Sequence, residues 1–182
     1  MNGLSKKEKT RLTIMHTAKG LFERYGLDGV TFGRIAEEAD VCRTTVFNHF
    51  SDTCELMLAL TCQEVEDARE HCRQAGKDGI QLIYTLFDKL IEDAAYYPTL
   101  TSRLIYNAIL NSEEENPVRT IEKITLIGLE KEYPKEEAEK FCKLICGAFY
   151  GLINHYHVNN LKFDAEVMKL EFRELLALIL RK

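Results

Sequence analysis

Apolar residues recur along most of this chain at three- and four-residue spacings, the repeat of a helix laid against a core. The stretches that carry the repeat are punctuated by caps, glycines and prolines. The clearest of them is 29–56, GVTFGRIAEEADVCRTTVFNHFSDTCEL. In it Phe32, Ile35, Ala36 and Ala39 share one helical face behind the capping residue Thr31, which predicts a short helix over about 32–39. Asp40 tolerates the irregular backbone of a turn, and Val41 supplies an apolar plug beneath both helices. A second helix is predicted over about 43–50, with Val46 and Phe50 inward, joined in part by Phe47. Its other face carries Arg43, Thr44, Thr45, Asn48 and His49. Short polar donors and acceptors beside one guanidinium suit base edges and phosphate oxygens in a major groove. The pattern reads as a helix-turn-helix.

The same signals divide the remainder into further helices, about nine in all, and the fold class expected is all-α. Ser5 with Glu8 is a capping-box signature, so a first helix runs to Tyr25 with Gly26 as its stop. Leu12, Met15, Ala18, Leu21 and Phe22 make its inner face. A fourth helix opens at Ser51 or Asp52, where Asp52 and Glu55 are spaced as cap and partner, and continues through Leu56, Leu60 and Val65 to about Gln74. A helix over about 80–96 carries Leu82, Ile83, Leu86, Phe87, Leu90 and Ile91, too wide an apolar band for a solvent-facing helix. Pro98 opens the next, through Leu104, Ile105 and Ile109, which ends in the polar run 111–116, read as a solvated acidic connection. Pro117 and Pro134 start helices reaching about 132 and 158. Asp164 caps a final helix whose apolar positions include Val167, Leu170, Leu175, Leu178 and Ile179.

Composition narrows the function classes. A hydrophobic share of 46% with three prolines favours a folded helical protein over a disordered one. No apolar run approaches the ~20 residues of a membrane helix. The amino terminus opens on lysines with no apolar signal region, which makes a cytoplasmic protein the expectation and reduced thiols the default for its six cysteines. The net charge of −5 argues against nucleic acid until the chain is split. Residues 1–53 hold 8 Lys and Arg against 7 Asp and Glu, and the remainder holds 16 against 22. Phosphates must therefore be met by local clusters, hydroxyls and helix amino termini more than by a broad basic surface.

Catalysis finds little support. There is no glycine-rich phosphate loop, no nucleophile elbow and no helical pair of histidines flanking a glutamate, and no cofactor is expected. Cys142 and Cys146, one helical turn apart, would let a thiol pair hold a soft metal or oxidise as a sensor. Zinc wants about four ligands, however, and His155 and His157 are not one turn apart, so buried apolar cysteine is the default and no metal is expected.

Ala18, Leu21, Phe22, Gly26, Gly29, Thr31, Ile35, Ala36, Ala39, Val41, Thr45, Phe47, His49, Phe50 and Leu56 carry a gapped pattern. By it the first third of the chain resembles the DNA-binding domain of the TetR (tetracycline-repressor-like) family of transcriptional regulators. The resemblance implies a helix-turn-helix domain over 1–53 and a helical effector-binding and dimerisation domain over 54–182, joined by a fourth helix whose tilt transmits the ligand signal. It implies a homodimer on a palindromic double-stranded DNA operator, with recognition helices roughly 34 Å apart. Base contacts are expected from Arg43, Thr44, Asn48 and Phe47, and phosphate contacts from Thr31, Thr45, His49 and Thr53. Two positions depart from the family pattern. Thr53 stands where a phosphate-binding lysine is usual, and Phe47 where a tyrosine commonly donates its hydroxyl, which predicts modest affinity and a shallow salt dependence. Lys6, Lys7, Lys9 and Arg11 are either the family's basic arm or a solvated terminus.

The long helices near the carboxyl end are the candidates for self-association. Gly147 and Gly151 lie four apart where a close helix crossing wants no side chains, and the interface expected adds Phe141, Ile145, Ala148, Leu152, Leu175 and Ile179. Tyr84, Phe87, Tyr106, Phe149, Tyr150 and His155 are candidates to line a pocket for an unidentified small organic effector. Two rival functions remain open at this point: a helical protein-interaction module without DNA recognition, and a thiol or metal sensor on the same fold.

Overall fold

The computed structural model describes residues 4–110 and 116–180, so most of the acidic connection read over 111–116 lies outside the described residues. Among the described residues there are nine helices and no strand: α1 (Lys6–Tyr25), α2 (Phe32–Glu38), α3 (Arg43–His49), α4 (Thr53–Ala75), α5 (Gly79–Tyr96), α6 (Pro98–Leu110), α7 (Pro117–Leu129), α8 (Lys135–Val158) and α9 (Ala165–Ile179). They form two compact units, Met1–Thr61 and Cys62–Lys182. The division falls inside α4, further along than the boundary read at 53, and α4 leaves Leu56, Met57 and Leu60 buried on the first side of it.

In the first unit the local signals act as written. The Ser5 hydroxyl accepts from the Glu8 amide while the Glu8 carboxylate accepts from the Ser5 amide, closing a capping box on α1. The α1 residues that go inside are Ile14, Met15, Ala18, Leu21 and Phe22. Leu12, expected with them, is exposed, and Ile14 takes the place. A Cβ on Gly29 would stand 2.4 Å from the Tyr25 carbonyl oxygen, so the link from α1 to α2 admits only glycine there. The α2 stop is a Schellman arrangement with Asp40 at φ +53° in the position glycine usually fills, and the Val41 amide donates to the Ala36 carbonyl at 3.0 Å. That bond fixes how the chain turns into α3. The α4 amino terminus is held in turn by Asp52, whose carboxylate accepts from the Glu55 amide at 2.9 Å, and by Glu55 reaching back to the Ser51 amide at 2.7 Å.

The second unit is built around α5, which packs against α6, α7 and α9, while α8 closes on α6, α7 and α9. Phe87, Phe149 and Phe172 meet at its centre, with the Phe87 and Phe172 ring centroids 4.8 Å apart. Gly128 lets α7 approach α5, because a Cβ there would lie 2.7 Å from the Gly79 carbonyl. Glu132, just past α7, accepts from the Ile80 amide at 2.9 Å and caps α5 from across the fold. This remote cap explains why Asp78, the residue preceding α5, makes no capping bond of its own. Lys169 with Glu92, and Arg173 with Asp88, tie α9 to α5 at the rim.

Candidate functional site

The outward face of α3 is assembled by its neighbours. Val46 and Phe50 are fully buried, so the helix cannot rotate about its axis without exposing both. Arg43, Thr44 and Asn48 are exposed on the opposite side. Phe47 is not the partly inward residue expected, since 47% of it is exposed. Its ring stands edge-on to Phe32 of α2, centroids 5.1 Å apart, and the Arg43 guanidinium lies 5.5 Å above its other face. Phe47 is therefore a platform that orients the guanidinium.

Four hydroxyls were assigned to phosphate or base, and each has a distinct place. Thr31 caps α2 by accepting from the Arg34 amide, while remaining exposed. Thr44 and Thr45 both approach the Cys42 sulfur, at 3.1 and 2.8 Å. Those contacts draw the Cys42 thiol down to about 7, because two hydroxyls stabilise the thiolate. Thr53 begins α4, half-buried.

His49 closes α3 and is half-buried. Burial, with the positive charges of Arg11 and Lys7 behind it, holds its imidazole below the ordinary value. A phosphate contact from His49 at neutral pH is accordingly a hydrogen bond from an uncharged ring. Arg11 supplies what the sequence did not reveal. Its Nη1 donates to the His49 carbonyl at 2.7 Å and its guanidinium lies 4.1 Å from the Phe50 ring centroid, so α1 clamps the carboxyl end of α3. Lys7, Glu8, Arg11, Asn48 and His49 border a shallow cleft of about 280 Å³ beside this clamp.

In the second unit, α8 presents three faces. Ala138, Cys142, Ile145, Phe149, Leu152 and Tyr156 enter the core. Ile145 and Leu152, expected at a dimer interface, are thus committed to the fold, and Phe141 and Ala148 are half-buried. The face left open holds Leu144, 55% exposed, with Gly147, Gly151 and Val158 at the spacings of one helical stripe. Val167, Leu170 and Leu178 form a matching open stripe on α9, while Leu175 and Ile179 are half-buried. Among the described residues, nothing beyond the helix's own backbone lies within 4 Å of a Cβ added at Gly147 or Gly151, so the described fold does not require either glycine.

The third face of α8 looks toward α6 across a half-open cleft of about 530 Å³. From α6 come Ser102, Arg103, Ile105, Tyr106 and Ile109; from α8 come Tyr150, Gly151, Ile153, Asn154 and His157. Of the pocket residues expected, Tyr106 and Tyr150 line this cleft. Phe87 and Phe149 belong to the aromatic centre of the core instead. Tyr84 lies beside Arg173, and His155 is exposed, paired with Asn159. Aromatic spacing alone could not separate a cleft wall from a core, because both are apolar at the same helical period.

Cys142 and Cys146 are buried between α8 and α7. Their shared hydrogen bond holds the Cys142 thiol low, and the same bond with burial drives Cys146 upward. Cys142 sits 3.4 Å from the Glu122 carbonyl. Among the described residues no three His, Cys, Asp or Glu side chains gather where a metal ion would bind. No described helix is long and apolar enough to cross a membrane.

Known proteins share this architecture. The family described as "Bacterial regulatory proteins, tetR family" matches residues 14–60, the span from α1 into α4. A curated relative, the HTH-type transcriptional repressor AcnR of Corynebacterium efficiens, is 28% identical over 110 residues, 60% of this chain and 55% of that protein. The matched region thus spans about half the length of that relative. A TetR transcriptional regulator from Rhodococcus sp. RHA1 superposes with a TM-score of 0.71 at 17% identity, covering 96% of this chain and 98% of that one. The Thermus thermophilus repressor FadR, solved in complex with lauroyl-CoA, gives 0.59 at 21% identity, covering 94% and 96%.

Proposed function

We propose that this chain, which belongs to the tetR family of DNA-binding transcriptional regulators, is a repressor that holds a palindromic operator as a homodimer and releases it when a small organic molecule occupies the second unit. Members of that family are transcription factors, not enzymes.

The observation that carries the reading is the division of α3 into a buried side, Val46 and Phe50, and an exposed side, Arg43, Thr44 and Asn48. A guanidinium braced on Phe47 suits guanine, whose O6 and N7 accept a bidentate pair, and Asn48 suits adenine. Thr31 at the start of α2, with Thr45 and His49 half-buried on α3, would meet phosphates, contacts that set position more than sequence preference. With Thr53 in place of a lysine, the ionic share of binding is small, and affinity falls gently with salt.

The dimer reading rests on the open stripes of α8 and α9. A glycine inside a helix costs about 0.5–1 kcal/mol against alanine. Two such costs at Gly147 and Gly151, with empty space around both, are understandable where a second helix crosses closely. Two-fold pairing there would supply the two copies of α3 that a palindromic operator calls for.

Release follows from α4, which gives Leu56, Met57 and Leu60 to one unit and Val65, Ala68 and Cys72 to the core of the other. An effector that favours one packing of the second core biases α4, and with it the separation of the recognition helices. The domain division adopted is the one inside α4. The test is a gel shift of the full chain on the DNA beside its own gene. A shift that survives excess unrelated DNA supports the repressor; no shift even at low salt supports the interaction-module alternative.

A further inference from the structure

Resting on the effector reading above, we infer that the cleft between α6 and α8 takes a small organic monocarboxylate, its acid group at Arg103 and its apolar body along the isoleucines.

Among the described residues no Asp or Glu lines this cleft. Its lining among the described residues holds one permanent cation, Arg103, which forms no ion pair with any described carboxylate. A guanidinium fork matches a carboxylate, whereas a cationic ligand would meet like charge there. One permanent cation also sets the stoichiometry: a single negative charge is matched, and a polyphosphate is not.

Tyr150 adds a second observation. Tyr150 lines the same cleft, and its hydroxyl is buried with no hydrogen-bond partner among the described residues. Burial raises its pKa, so it stays a neutral hydroxyl able to donate to an incoming oxygen. The remaining wall is apolar, with Ile105, Ile109 and Ile153, and the volume of about 530 Å³ falls within the range of small-molecule sites. An apolar body with one acid head satisfies every wall; a sugar or an amine leaves one of them unmatched.

The cleft also reaches the open face of α8, because Gly151 belongs to both. An occupant therefore lies beside the stripe proposed for the dimer and can bias how two copies pair there.

The test is calorimetric titration of the full chain with octanoate and 4-phenylbutyrate, beside octanol and octylamine as neutral and cationic matches. At least one acid binds, and at least tenfold more tightly than the alcohol or the amine. Arg103→Gln, at an exposed position, keeps the melting temperature, weakens the acid at least tenfold and leaves the alcohol unchanged. Tyr150→Phe weakens the acid several-fold. The inference is overturned if neither acid binds at about millimolar concentration, if the amine binds as well as the acids, or if Arg103→Gln leaves acid binding intact. Operator release is read separately: an acid that binds the cleft through Arg103 without releasing DNA defeats the effector mechanism and leaves the site assignment standing.

Discussion

Replacing Gly147 and Gly151 together by alanine has opposite consequences for one chain and for two. In a single chain both added methyl groups point into open space, and each removes a helix penalty of about 0.5–1 kcal/mol, so the lone fold gains roughly 1–2 kcal/mol. Across a two-fold seam the same change inserts four methyl groups where backbones approach. Overpacking of that kind costs about 1–3 kcal/mol, a dimer roughly five- to 150-fold weaker. Sedimentation equilibrium gives the dimer constant, and melting at dilute and concentrated protein separates the two terms, since only the dimer term depends on concentration. The variant should melt higher when dilute and dissociate more readily when concentrated. A variant that melts higher at every concentration, with an unchanged dimer constant, would remove α8 from the interface.

Other changes probe the first unit and the second core. Arg11→Met removes a charged donor to the His49 carbonyl and a cation on Phe50, costing about 2–3 kcal/mol in denaturant unfolding and weakening operator and random DNA alike; a loss under about 0.5 kcal/mol would deny the clamp. Cys42 should react with iodoacetamide with a midpoint near pH 7, protonated and slow below it and thiolate above, and Thr45→Val should move the midpoint upward; a midpoint near an unperturbed thiol's would refute the hydroxyl contacts. Glu132→Ala removes the side-chain cap from the α5 amino terminus and should lower stability by about 1 kcal/mol, measured by thermal melting, whereas Glu132→Gln keeps an acceptor and recovers part of it.

Much of this architecture was legible because its signals are local. Ser5 with Glu8, Thr31, Asp52 with Glu55 and Asp164 cap helices as their spacing implies, and Asp40 turns the chain between α2 and α3. Pro98 and Pro117 begin helices, and Pro134 directly precedes one. The helix after Pro117 ends at Leu129, short of the predicted 132, because Glu132 leaves it to cap α5. What stayed hidden depends on tertiary neighbours. On α8 nearly every face is apolar, so the period could not tell that Ile145 and Leu152 fill the core while Leu144 is left open. Ile109, counted with the apolar face of α6, is exposed at the cleft for the same reason. The clamp from Arg11 to His49 joins residues 38 apart, and no sequence period links them. Arg103 and His157 were likewise missed, since a cleft wall drawn from two helices leaves no repeat in either.

In the proposed repressor α3 reads bases with Arg43 and meets phosphates with Thr45. Fluorescence anisotropy on operator and random DNA, for the wild type, Arg43→Ala and Thr45→Ala, tests it most directly. Arg43→Ala should lose about 1–3 kcal/mol on the operator and little on random DNA, while Thr45→Ala should weaken both equally. Equal losses on both DNAs for both variants, or none for either, would contradict that division of labour between Arg43 and Thr45.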